Sequence, residues 1–181
     1  SGRVPPCARC IAGVASLGEN SGPATDLTSG PPIPRRSMSH EIPDYHDADL
    51  VLKLYDLRRE ELLRRSREAV NQKFWPKGPD ELLAIMRPDH ELNTAFRQVA
   101  AYWEMVYGMA RHGIVNAEFL MENNGEGLFV FAKVQPWITE LREASGPRAF
   151  ANAEWIATRT EMGRQIFART RARIAKTLES K

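Results

Sequence analysis

The sequence predicts an all-α protein, an irregular bundle of about six or seven helices with short Pro/Gly corners. Three observations predict it. From residue 47 onward apolar residues recur at three- and four-residue steps, prolines and glycines gather at the breaks between those stretches, and no clear strand alternation is present. The 181 residues, 43% hydrophobic and 27% charged, suffice for one domain, placed at 44–181.

The first helix is expected from Asp47, as N-cap, for about seven turns, with Val51, Leu54, Tyr55, Leu62, Ala69 and Val70 inward. Its other face carries Arg58, Arg59, Arg64, Arg65 and Arg67 among acids, with favourable pairs Glu60 to Arg64 and Glu61 to Arg65. Acids and bases balance from Asp44 to Lys73, so this face reads as solvated. Pro76, Gly78 and Pro79 end the helix, and a short one follows from Asp80 to Met86, stopped at Pro88.

The cleanest stripe comes next: Phe96, Val99, Ala100, Trp103, Val106, Tyr107 and Ala110, closed by Arg111, His112 and Gly113. A basic last turn followed by a glycine able to adopt a left-handed cap is a helix C-terminus. Asn116 caps a short helix over 117–121. Leu128 to Val134 fits strand or buried helix. No second strand pattern exists for it to pair with, so a helix to about Glu143, kinked near Pro136, is predicted. Gly146 and Pro147 break it, a helix over 148–158 turns Phe150, Ala153 and Ile156 inward, and a last one runs from Thr160 to Leu178.

Residues 1–43 read differently. They hold seven of the twelve prolines, five of the twelve glycines and no aromatic residue, a composition that predicts a disordered tail. Their apolar run, Cys10 to Leu17, is broken by Gly13 and Ser16 and is not read as a secretory signal. Met38, the first methionine, is the expected initiator, with 1–37 non-native. Residues 1–37 carry the whole net charge of +2, which leaves the domain neutral. Cys7 and Cys10 form a CxxC, but its distance from His40 and His46 is outside zinc-finger spacing, and the pair reads as incidental.

Phosphate-loop, dinucleotide, hydrolase-elbow and zincin motifs are all missing, no Glu has a His three residues on, and no cysteine follows Met38. No catalytic residue, metal ligand or cofactor is therefore assigned, and no membrane span is predicted. Four residues are pocket candidates. Glu104 interrupts the strongest apolar stripe and needs a partner if buried, with Arg111 or Arg142 at hand. Tyr107 and its aromatic neighbours are placed beside it, and His112 complements the helix end. The last helix is the one charge asymmetry: Arg164, Arg169, Arg171, Arg173 and Lys176 are candidate anion or nucleic-acid contacts. These arginines are expected to be solvated or paired with acids of the first helix, so nucleic acid is the less favoured partner.

The segments AYWEMVYGMARHGIVN (101–116) and FVFAKVQPWITELR (129–142) resemble uncharacterised small bacterial all-helical proteins of unknown function. In these an aromatic-Glu core helix leads through a Gly turn to a Pro-kinked helix ending in Leu-Arg. The resemblance implies a helical fold in a bacterial cytoplasm and carries no catalytic residue over. The function read from the sequence is protein association without catalysis, as a homo-oligomer or with an unknown protein, and the alternatives are a small-ligand or enzymatic pocket around Glu104 and a nucleic-acid contact through the last helix.

Overall fold

The computed structural model describes residues 42–179, all helix and turn. Cys7, Cys10, Met38 and His40 fall outside the described residues. The all-α class is as expected. Among the described residues there are nine α-helices: α1 Tyr45–Arg59, α2 Glu61–Lys73, α3 Pro79–Ile85, α4 Asn93–Arg111, α5 Ala117–Asn123, α6 Gly127–Val134, α7 Ile138–Ser145, α8 Ala151–Arg159 and α9 Glu161–Glu179. The count exceeds the prediction because two expected helices are each divided. Pro136 sits in a 3-10 turn, Gln135–Trp137, that separates α6 from α7. At Glu60 the backbone turns extended (ψ 139°), and the Glu60 carboxylate accepts the Leu63 N–H (3.1 Å) as the cap of α2 instead of pairing with Arg64.

That break shifts the inward phase. Val51 and Leu54 are buried from α1 and Val70 from α2, but Tyr55 and Leu62, expected inward, are exposed. The N-cap of α1 is Asp44 and not Asp47. Asp44 accepts the His46 and Asp47 N–H groups, and Asp47 returns a bond from the Asp44 N–H (2.9 Å), a capping box. Asp47 is fully buried, and its other oxygen accepts the Asn116 N–H (2.7 Å), which fastens the start of α1 to the start of α5. Arg58 and Arg67, expected on a solvated face, instead converge on Glu126 at the start of α6, with Arg67 Nε 3.0 Å from Oε1.

The α4 helix is central, packed against α2 and α8, while α9 lies across α6 and α8. Phe96, Val99, Trp103, Val106 and Tyr107 are buried as their periodicity predicts. Gly113 takes φ 68° and closes α4, with the Ile114 N–H donating to the Met109 carbonyl (2.9 Å). Gly127 allows α6 to reach α4: a Cβ there would lie 2.6 Å from the Trp103 ring and the Tyr107 hydroxyl. Lys133 is buried in the apolar run of α6. Its ammonium lies 3.9 Å from the Trp75 ring centroid and 4.2 Å from that of Phe129, and it donates to the Val70 and Asn71 carbonyls at the end of α2.

Candidate functional site

A cleft of about 490 Å³ opens between the outer side of α4 and the turn that joins α7 to α8. Its shape follows from small residues. Ala100 and Ala101 stand one turn after Arg97 and leave the α4 surface low there. Across from them, Gly146 at φ 108°, Pro147 and Phe150 at φ 53° fold residues 146–150 back toward α4. Phe150 is the one non-glycine with positive φ among the described residues, a conformation costing about 1–2 kcal/mol that its buried ring contacts with Phe96 and Phe131 hold in place.

The floor is apolar, formed by Phe96, Leu141 and Phe150, with Met86 and Met105 at the margins. Three guanidinium groups line the mouth: Arg97 and Arg111 from α4, and Arg148 from the turn. Arg97 and Arg148 are exposed and form no ion pair or side-chain hydrogen bond among the described residues. Arg111 donates to Asn152 Oδ1 (3.1 Å).

Glu104 belongs to this cleft, and its bonds differ from those expected. Its two oxygens accept the N–H groups of Asn152 (3.1 Å) and Ala153 (2.8 Å), which caps the first turn of α8 from outside. Asn152 returns a bond from its amide to the Glu104 carbonyl (2.9 Å). Burial pushes the Glu104 carboxyl above its ordinary range, and the two N–H groups together with the positive charges of Arg111 and Arg142 pull the other way. Neither arginine pairs with it directly. A carboxylate held on both oxygens by backbone N–H groups positions a helix. Ser145, the one hydroxyl in the lining, donates to the Leu141 carbonyl (2.6 Å).

Residues 44–160 match the domain of unknown function DUF4760. The chain belongs to the DUF4760 family. No curated protein and no solved structure matches it. The DUF4760 stretch includes every element that lines the cleft and ends where α9 begins.

Of the four pocket candidates read from the DUF4760 sequence, the structure places only Glu104 in the cleft. Tyr107, one turn on from Glu104, is fully buried outside the cleft lining against Gly127 of α6, where its hydroxyl donates to the Asn124 carbonyl (3.2 Å) and burial pushes it well above the usual phenol range. Tyr102 is likewise buried, its hydroxyl donating to the Leu54 carbonyl (2.6 Å) with burial raising it to about 12. Arg142 stands behind the cleft wall, bonded to the Ala149 carbonyl (3.1 Å) and to Glu154 (2.8 Å). His112 is the exposed C-cap of α4, away from the lining.

The α9 candidates are separate from the cleft. Arg164, Arg169, Arg171, Arg173 and Lys176 are all exposed, and none pairs with an acid of α1 or with any other described carboxylate. Among the described residues there is no cluster of three or more His, Cys, Asp or Glu able to hold a metal, and no helix long and apolar enough to cross a membrane. Sequence reasoning missed Arg97 and Arg148. Their one signal is local: Arg97 directly follows a core Phe and precedes two alanines, and Arg148 follows a Gly-Pro break.

Proposed function

We propose that this protein binds a small amphipathic anion, an acidic head on an apolar body, in the cleft between α4 and the α7–α8 turn. One observation carries the reading: two unpaired guanidiniums, Arg97 and Arg148, border an apolar floor in a cavity whose volume falls within the roughly 300–1,000 Å³ usual for small-molecule pockets. Unpaired arginines are suited to carboxylate, sulfate or phosphate groups because their N–H fork matches two acceptor oxygens. Binding is favoured over catalysis because Glu104 and Ser145 are both committed to backbone partners. A bacterial cytoplasm is the setting proposed with it, on the resemblance of 101–116 and 129–142.

The test is a fluorescence titration with anilinonaphthalene sulfonate, a rigid apolar anion that brightens in an apolar site. Saturable binding with one site per chain is expected. Arg97→Gln and Arg148→Gln should each weaken it about tenfold, the worth of a charged hydrogen bond, and Ala101→Trp should block the cleft with the melting temperature unchanged. Unsaturable binding, or affinity indifferent to all three changes, contradicts the reading.

A second reading, association between copies of this chain, is favoured by α1. Tyr45 (87% exposed), Leu52 (65%) and Tyr55 (44%) recur at helical spacing on one outward stripe, next to Ile42. Sedimentation velocity should then show a concentration-dependent dimer that Leu52→Lys abolishes. A monomer up to about 100 μM contradicts it, since self-association weaker than about 5 kcal/mol would not hold two copies together in a cell.

A further inference from the structure

The outer surface of α9 is strongly basic. Gly163, Thr170 and Ile174 are buried, with Ile166 and Phe167 packed against the core, and these residues fix the inward face. At about 3.6 residues per turn, the cations then divide into two rows on either side of that face. Arg164 and Arg171, two turns apart, form one row on the α8 side, where Arg164 reaches the Thr158 carbonyl (3.3 Å). Arg169, Arg173 and Lys176 form the other on the α6 side, where Arg173 lies over the Phe129 ring (5.0 Å). Ala168, Ala172 and Ala175, all exposed, run along the ridge between the rows.

What sets α9 apart is that five exposed cations without an ion pair to any described carboxylate share one helix. Lys53, Arg58, Arg65, Arg67, Lys73 and Arg142 all have carboxylate partners. Uncompensated like charges on one helix repel one another, and a partner of opposite sign relieves that cost. The geometry points to double-stranded DNA as that partner: α9 lies along the major groove, with one row of cations on the phosphates of each strand and the alanine ridge toward the groove floor.

The form of the helix selects among polyanions. A B-form major groove, about 12 Å wide, admits an α-helix, whereas the A-form groove of duplex RNA is too narrow. Insertion into the acyl boundary of an anionic membrane takes large apolar side chains on the outward face, and the middle of this ridge offers only alanine. Glu161 and Glu179 stand at the two ends of the ridge and confine the docking face to the middle turns. The side chains reach phosphates and no base-reading pair is in place, so binding is independent of sequence.

The experiment is fluorescence anisotropy of the full chain with a fluorescein-labelled DNA duplex of mixed sequence, about 20 base pairs long, from 50 to 200 mM NaCl. Micromolar binding at 50 mM is expected, and neutralising about five phosphates gives a log–log salt slope near −4.5, a loss of roughly 500-fold over that range. Replacing Arg169, Arg171 and Arg173 together by Gln should flatten the slope by about 3 at unchanged helical content and melting temperature. Ala172→Glu, which puts a carboxylate between the rows, should abolish binding while the five cations remain. No binding at 50 mM, a slope unmoved by the triple change, indifference to Ala172→Glu, or tighter binding to duplex RNA or to phosphatidylserine vesicles than to DNA would each overturn the proposal.

Discussion

Trp103→Ala should destabilise the protein by about 3–5 kcal/mol, the cost of a large cavity in a core that collapses only in part. Trp103 is 2% exposed, and its ring lies 5.0 Å from that of Tyr102 and 5.6 Å from that of Tyr107. It also forms the surface on which Gly127 lets α6 rest, so its loss affects the seat of a second helix. The indole N–H finds no acceptor among the described residues. Trp103→Phe, which removes that N–H and keeps most of the ring, should therefore cost much less than alanine. Urea denaturation of both variants decides the matter: equal losses would mean that the N–H has a partner of its own.

The second large effect is expected at Asp47, where alanine should cost about 2–4 kcal/mol because two charge-assisted hydrogen bonds in a dry position are lost together. One oxygen serves the N-cap of α1 and the other the Asn116 N–H at the head of α5, so a single buried carboxylate joins segments 69 residues apart in the chain. Asp47→Asn keeps one good acceptor and should fall between the wild type and Asp47→Ala. The same denaturation series measures it. A loss under about 0.5 kcal/mol for alanine would show that water replaces the carboxylate there.

These two sites also show how far the sequence could be read. The burial of Trp103 was legible because Phe96 to Ala110 repeats a local pattern, and local periodicity survives any tertiary arrangement. Asp47 was misread as an N-cap because its position at the first apolar residue suits that role, and only the fold brings Asn116 to it. The break at Glu60 left a trace too faint to use. Residues on both sides favour helix, and the evidence for two helices is that Tyr55 and Leu62 do not share the inward face of Leu54 and Val70.

The cleft was half legible. Glu104 was visible as a carboxylate in an apolar stripe, but its partners are backbone N–H groups of a helix 48 residues on, and no side-chain pattern announces those. Arg97 and Arg148 lie far apart in sequence, each unremarkable by itself, and acquire meaning only where the Gly146 to Phe150 turn folds toward α4. Lys133 carried the clearest neglected signal, a lone cation inside the apolar run from Leu128 to Val134, which the aromatic rings of Phe74, Trp75 and Phe129 accommodate.

Where an amphipathic anion sits on the protein can be mapped by amide chemical-shift changes in the isotope-labelled full chain titrated with anilinonaphthalene sulfonate. The largest changes should fall together on residues 97–105 of α4 and 148–153 of the facing turn, and should vanish in Ala101→Trp. Changes centred on the exposed stripe of α1 or on α9, with 97–105 and 148–153 unmoved, would contradict binding in the cleft.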